Sequence, residues 1–439
     1  MMGTGLSAAL PPRGRRLTPP GGRPQSRADR LGPIATWLAQ VYVVGALIYS
    51  FGVIYEQLPP AFSLVLLGPG LGCLVLAPRR LVRHLRISVP LAMLLGWTVL
   101  SWSWSYNPDQ TLLRLGTQVP TVLVLVAVTG LLQPRDLVTA LKWSIRLTLL
   151  LVVARLVTDP GSRTTGDSEL VVEGWKGSFS DKNSLGLYLV FALTVTLVLD
   201  RGWSRVLTTC GVGVLLAGSQ SATSLSAAIV VVLVWMWLAL WRSQQGRQSA
   251  LFVLASIGLV VVAIGAALSS YTAILEVYGK DADLTGRTAI WAAVAHAVTD
   301  RPLTGYGLGA LFNLGDPSSQ SLLLWHEIGF KAAHAHNGVL DLVGQLGVVG
   351  LLLFLATLWT TLRTAVRSLR VEVGVASTAV LMISALLVMS VSEPVFLGPW
   401  LLVIALLQAP FLRTGDHERR VEDLRSPRAA GRRPRTPTG

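Results

Sequence analysis

Residues 223–241 read TSLSAAIVVVLVWMWLALW, nineteen positions without a charged side chain. At about 1.5 Å per residue such a helix is roughly 28 Å long, close to the ~30 Å hydrocarbon core of a bilayer. The stretch is expected to cross a membrane. Eleven more apolar runs lie near 34–54, 61–77, 88–104, 115–132, 137–157, 185–199, 206–217, 250–268, 338–361, 374–391 and 395–412. The first is too long, and too far behind a Pro/Arg/Gly-rich leader, to be a cleaved signal peptide. Composition agrees. Of 439 residues 52% are hydrophobic and only 14% charged, against about 25% charged in soluble domains. Too little polar surface exists to coat several soluble domains. The expected fold class is all-α integral membrane, with about 12 transmembrane helices.

Charge orients these helices. With the N-terminus inside, the short inner loops 78–87, 133–136, 200–205, 242–249 and 362–373 hold twelve Lys/Arg, and the short outer loops 55–60, 105–114, 218–222 and 392–394 hold only Arg114. That asymmetry is the positive-inside pattern. It puts both termini in the cytoplasm and leaves two long extracytoplasmic loops, 158–184 and 269–337. The domain plan is a basic tail over 1–30, a membrane domain over 31–412, and a second basic tail over 413–439. The tails hold six and eight arginines, rich in Pro and Gly and unable to build a core. They hold most of the net +14. That charge therefore reports orientation and attraction to the lipid bilayer. No aromatic residue interleaves these arginines, so no nucleic-acid partner is expected. Cys73 and Cys210 each sit in an apolar run and form neither a disulfide framework nor a thiolate metal site.

The outer loops are each net negative by two, yet four of the five lysines (Lys176, Lys182, Lys280, Lys331) fall in them. Chemistry is expected here. In Gly177-Ser178-Phe179-Ser180-Asp181-Lys182-Asn183-Ser184, Asn183 or Ser184 can cap the following helix. Lys182 would then flank a helix N-terminus suited to anions, although an ordinary polar helix start has the same look. Further on, Thr285-Gly286-Arg287 opens a short helix over 287–299 that Pro302 stops. Arg287 could offer its guanidinium fork to a phosphate. The turn Gly305-x-Gly307-x-Gly309 lacks the βαβ setting of a dinucleotide site.

Third comes His334-Ala335-His336-Asn337-Gly338. Asn337, Asp341 and Gln345 follow at steps of four on one helix face. Intramembrane polar residues usually face the bundle interior or a wet cavity, and a histidine there can serve as general base. Packing glue between helices is the plainer alternative. His-x-His also admits zinc, with His326 as third ligand, and Asp281-Ala282-Asp283 has the form of a Mg²⁺-diphosphate motif. Arg146, deep in its helix, calls for a partner such as Asp341 or Glu393. Arg155 can snorkel outward.

Four motifs now stand in order: Gly177-x-Phe179-x-Asp181-Lys182-Asn183-x-Leu185-Gly186, Gly286-Arg287-x-x-x-Trp291, Pro302-x-x-Gly305-x-Gly307-x-Gly309, and His334-x-His336-Asn337-x-x-Leu340, the last running on to Leu346-Gly347. On outer loops of a twelve-helix chain, this pattern resembles the O-antigen ligase and polymerase superfamily, most closely its exopolysaccharide-polymerase-like branch. The resemblance covers roughly residues 30–412. It implies a GT-C-like lipid-linked glycan transferase in the bacterial cytoplasmic (inner) membrane. The donor is a polyprenyl-diphosphate-linked glycan, the acceptor a hydroxyl on glycan, lipid or protein, and transfer is inverting. No metal or cofactor is implied. His336 becomes the base or hydroxyl-orienting group and Arg287 the diphosphate contact. Lys182, Asn183, His334, Asn337, Arg155 and Asp341 become substrate-binding residues. Ligases often carry another arginine in the turn matching 218–224; here it has none, and Lys182 or Arg155 would stand in. Polymerase and ligase share this donor chemistry. The rival class is a twelve-helix transporter of a lipid-linked or small substrate, whose two similar halves have no counterpart here.

Overall fold

The computed structural model describes residues 27–51, 72, 75, 87–116, 118, 119, 122–124, 127, 131–165, 172–243, 286–369 and 372–408. The expected run 250–268, all of 61–77 but residues 72 and 75, eight of the eighteen positions of 115–132, the Asp281-x-Asp283 pair and nearly all of both tails lie outside them. Among the described residues the regular structure is helical apart from a two-residue antiparallel ribbon, β1 (Thr164–Thr165) with β2 (Val172–Glu173). In chain order the helices are α1 (Arg27–Ser50), α2 (Val89–Leu100), α3 (Pro108–Gly116), α4 (Pro134–Thr158), α5 (Lys182–Leu199), α6 (Gly202–Ser219) and α7 (Ala222–Ser243). They continue with α8 (Arg287–Asp300), α9 (Ser319–Ile328), α10 (Gly338–Ser368), α11 (Val373–Met389) and α12 (Pro399–Gln408).

Among the described residues five helices are long and apolar enough to cross a membrane: α4, α5, α7, α10, and α1 over Pro33–Ser50. Val89–Trp104, α11 and α12 are shorter apolar helices. α8 covers the short helix expected over 287–299. This is the architecture of an integral membrane helical protein.

α5 is the central column. Leu185 to Leu197 is buried without interruption, as befits a helix apolar on every side. Gly186 lets α7 come close: a Cβ there would stand 2.4 Å from Ser224 Oγ and 3.1 Å from Ser221 Cβ. Small residues at such crossings allow tight helix contact where lipid offers no hydrophobic drive.

The bundle has two chemically different ends. At one, Asp200 (4% exposed) caps α5 and takes Lys142 at 3.0 Å and Arg146 at 3.3 Å. Arg146 also donates to Ser204 Oγ at 2.7 Å. Its partner is therefore neither Asp341 nor Glu393, because the turn after α5 folds back beneath α4 with its own acid. Nearby, Arg242 of α7 donates to Ser377 of α11.

α10 is broken at Gly347, whose backbone (φ +68°, ψ −175°) lies where only glycine is comfortable. The loop 302–309 fills the break. Val348 N–H donates to Pro302 O (2.8 Å), Tyr306 N–H to Gly344 O (3.0 Å) and Gly307 N–H to Gln345 O (2.9 Å). Trp97 Nε1 donates to Leu346 O at 2.9 Å. Interrupted helices at membrane depth need such substitute partners. This accounts for the Gly-x-Gly-x-Gly turn. All three glycines have positive φ, and a Cβ on Gly305 would stand 2.6 Å from the Gln345 carbonyl carbon.

Candidate active site

At the end opposite Asp200, three helices begin at one place, around the turn Ser390–Glu393 that follows α11. α5 starts there because Asp181 caps it. Asp181 Oδ1 accepts from the N–H groups of Asn183 (2.8 Å) and Ser184 (2.9 Å), and Oδ2 from Ser184 Oγ (2.6 Å). The cap thus lies earlier than the expected Asn183 or Ser184. That frees the Asn183 amide, which donates to Glu393 Oε1 at 3.1 Å.

α8 begins after Gly286, whose φ of +81° turns the chain. Its first residue, Arg287, donates from Nη1 to Ser392 O at 3.1 Å and holds Nη2 3.8 Å from Glu393 Oε1. α10 begins after Asn337, whose Oδ1 accepts from Val339 and Leu340 N–H, both at 3.0 Å. Asn337 Nδ2 donates to Val391 O (3.2 Å), and Gly338 N–H to Ser390 O (2.7 Å). Thr223, in the polar turn opening α7, shares a 2.5 Å hydroxyl contact with Ser392.

The two histidines are placed by the residue between them. Ala335 N–H donates to Asp341 Oδ1 (3.2 Å), and its carbonyl accepts from Trp291 Nε1 (3.0 Å). Trp291 lies one turn after Arg287, so the Gly-Arg-x-x-x-Trp spacing sets guanidinium and indole on one face. Asp341 Oδ2 accepts from Gln345 Nε2 (2.6 Å), whose Oε1 accepts from Gly309 N–H (2.8 Å). The stripe Asn337, Asp341, Gln345 is therefore a brace joining the histidines to the glycine turn. His336 has φ +47°, an uncommon conformation for a non-glycine residue. Its N–H donates to His334 Nδ1 at 3.3 Å, and the ring centroids lie 4.0 Å apart.

One donor atom from each of His334, His336 and Glu393 lies within 4.8 Å of the others. The group that closes on the imidazoles is Glu393, not His326. His336 Nδ1 is buried and, among the described residues, has no hydrogen-bond partner. Two hydrogen bonds of about 2.8 Å to one bridging hydroxyl span up to roughly 5.6 Å, which suits this spacing. A zinc ion with ligands at about 2.1 Å would compete with Asn183 and Arg287 for the same carboxylate. The cluster reads as a hydrogen-bonding pocket.

Burial sets the protonation states. It pushes His334 down to about 4, Asp181 opposing and Arg287 adding to the shift. Burial, with His334 and Arg287, pushes His336 to about 3. Both rings are neutral at pH 7. Glu393, 4% exposed, is raised by burial to about 7; Arg287 opposes and Asp181 reinforces that rise. Lys182 opens α5, but its side chain runs along Gly174, where a Cβ would stand 2.7 Å from Lys182 Cδ. Arg155 pairs with Asp159 at 2.8 Å.

Residues 184–355 match the family model described as O-antigen ligase. This segment belongs to the O-antigen ligase family. Within the ligase segment lie Arg287, Trp291, the glycine turn, both histidines, Asn337 and the Asp341–Gln345 brace. Among similar proteins, the exopolysaccharide production protein ExoQ of Rhizobium meliloti is 35% identical over 198 residues, 42% of this chain and 45% of that protein. Two proteins whose names propose a polysaccharide ligase, from Rickettsia conorii and Rickettsia felis, are each 31% identical over 81 residues, 18% of this chain and 19% of theirs. The matches span less than half the length of these relatives. They support a polysaccharide ligase or polymerase family and, with the apolar helices, a multi-pass membrane protein. Three further residues belong to the pocket: Glu393, which the sequence offers only as a partner for Arg146, Asp181, which it shows only as part of a motif, and Ser392. The signal for Glu393 was an acid in a short turn between two apolar runs.

Proposed function

We propose that this chain is a membrane glycosyltransferase, a polysaccharide polymerase or glycan ligase. It takes a glycan from a polyprenyl diphosphate and transfers it to an acceptor hydroxyl. The observation that carries the reading is the meeting of Asn183, Arg287, His334, His336 and Glu393 at three converging helix N-termini, within and beside an O-antigen ligase segment. Each helix start carries partial positive charge, and Arg287 adds a full one, so a diphosphate is attracted and its departing charge stabilised. Lys182, the first residue of α5, supplies the second cation. The neutral His336 ring, with His334 beside it, holds the acceptor hydroxyl through its unpartnered nitrogen. Attack from the side opposite the diphosphate inverts the anomeric carbon. Cations and helix ends replace a metal.

The setting is the cytoplasmic membrane, with the site on the extracytoplasmic face and both termini inside. Lys142, Arg146, Arg205 and Arg242 at the opposite end of the bundle support that orientation. The test is His336→Ala and Arg287→Ala separately, in cells where membrane levels of each variant are measured. Loss of surface polymer at normal protein levels is expected. Unchanged polymer from both overturns the reading. Purified protein treated with EDTA should keep its rate; a loss restored by Zn²⁺ would move a metal into the His334, His336 and Glu393 cluster.

A further inference from the structure

The reaction needs a destination for the acceptor proton, and the pocket offers two kinds of group. His336 is the natural choice from sequence, but its surroundings oppose it. Protonating His336 would put a second charge into a buried pocket already holding the Arg287 guanidinium. Asp181 offsets this only in part, because burial, His334 and Arg287 outweigh it. Glu393 stands in the reverse situation. Arg287 lies beside it from α8, Asn183 donates to it from α5, Asp181 sits across from it, and both imidazoles close the remaining side.

Resting on the glycosyltransferase reading, we infer that Glu393 receives the acceptor proton while His336 only orients the hydroxyl. The step balances as follows. The acceptor O–H breaks and its proton passes to the Glu393 carboxylate. The oxygen forms a bond to the anomeric carbon, and the bond from that carbon to the diphosphate oxygen breaks. Its electron pair leaves with the polyprenyl diphosphate. A carboxyl raised to about 7 is a base suited to neutral pH, whereas a ring pulled down to about 3 is not.

The arrangement also couples the two ends of the reaction. Before transfer, Arg287 is partly neutralised by Glu393 across 3.8 Å. Once Glu393 is protonated, that charge is released toward the leaving group. The bond from Arg287 Nη1 to Ser392 O keeps the guanidinium in place through the change. A histidine base would do the opposite, adding a cation and leaving Arg287 tied to its carboxylate.

The experiment uses the full chain purified in detergent. The probe is lipid-linked oligosaccharide extracted from a host strain lacking this gene. Initial rates are measured from pH 5 to 9 for wild type, Glu393→Gln, Glu393→Asp and His336→Gln. Wild type should show a single rising limb near pH 7. Glu393→Gln should lose about 10²–10⁴-fold in rate and lose the limb. Glu393→Asp should keep a displaced limb, and this decides the matter if the Gln variant fails to fold. His336→Gln should slow the reaction and keep the limb unmoved.

Three outcomes overturn the inference. One is a Glu393→Gln rate within ten-fold of wild type. Another is a limb that vanishes in His336→Gln and persists in Glu393→Gln. The third is a raised KM with the limb unmoved, which would mark Glu393 as a structural prop for Arg287. Failure of the wider reading looks different: Arg287→Ala then works as well as wild type.

Discussion

Gly347→Ala is the substitution whose cost can be worked most directly from the structure. At φ +68° and ψ −175° a residue with a Cβ is strained, by about 1–3 kcal/mol. The new Cβ would also stand 2.1 Å from Leu303 O and 2.5 Å from Thr304 N, both backbone atoms. The loop over 302–304 must withdraw. It then gives up the bonds from Val348 N–H to Pro302 O (2.8 Å) and from Val349 N–H to Leu303 O (3.4 Å). One buried backbone group left unsatisfied costs about 1–3 kcal/mol. The sum is roughly 2–6 kcal/mol, a large part of a typical folding free energy of about 5–15 kcal/mol. At about 2–4 °C per kcal/mol, the melting temperature in detergent should fall by some 5–20 °C. Scanning fluorimetry on the purified variant measures this. The control is Gly213→Ala in α6, a helical glycine with nothing within 4 Å among the described residues; it should gain about 0.5–1 kcal/mol. A Gly347→Ala protein that melts within 2 °C of wild type (against a predicted fall of at least about 5 °C) would refute the account of the broken helix.

Two further expectations concern the site. Asp181→Ala removes the cap of α5 and should cost about 1–2 kcal/mol, with Asp181→Asn recovering most of it; equal melting temperatures for all three would count against the cap. Stability should also fall on acidification from pH 6.5 to 4.5. In that window the unfolded chain binds two protons at His334 and His336 that the fold refuses, since both are lowered. The fold keeps one at Glu393, raised to about 7, that the unfolded chain releases. Over these three groups alone the difference is one proton, which makes their joint contribution to stability rise with pH by up to about 1.4 kcal/mol per unit. Glu393→Gln should steepen that slope and the double variant His334→Gln/His336→Gln should reverse it, as read from melting temperature against pH.

The membrane character was legible from the sequence because apolar length alone reports it, as in 223–241 and 137–157. Residues of three of the four motifs (Asn183, Arg287, His334 and His336) meet in the candidate pocket, and the fourth motif fills the break in α10. Contacts made through space were not legible. Glu393 lies 57 residues beyond His336 in a turn with no pattern, and only the packing of α10 against α11 brings them together. Gly347 sat inside a continuous apolar run, where hydropathy cannot reveal a break in hydrogen bonding. Asp341 looked like a pocket residue because its helix face was right; its carboxylate is occupied by Ala335 and Gln345. Depth counted along one helix leaves Arg146 stranded, because it omits the turn that returns Asp200 to it.

The break in α10 also governs depth. Its 31 residues would extend about 46 Å if continuous, well over the ~30 Å hydrocarbon slab. Gly347 divides it into a nine-residue piece, 338–346, and a 21-residue piece, 348–368. The longer piece, about 32 Å by the helical rise, matches the slab, with Arg363 and Arg367 near its far end to snorkel. On the proposed reading the shorter piece then stands proud of the slab, with the histidines just before its first residue. On the proposed reading, a diphosphate at headgroup level meets these residues without its isoprenoid tail leaving the bilayer. Chain transfer then takes place at the boundary between oil and water, with no extraction of the lipid.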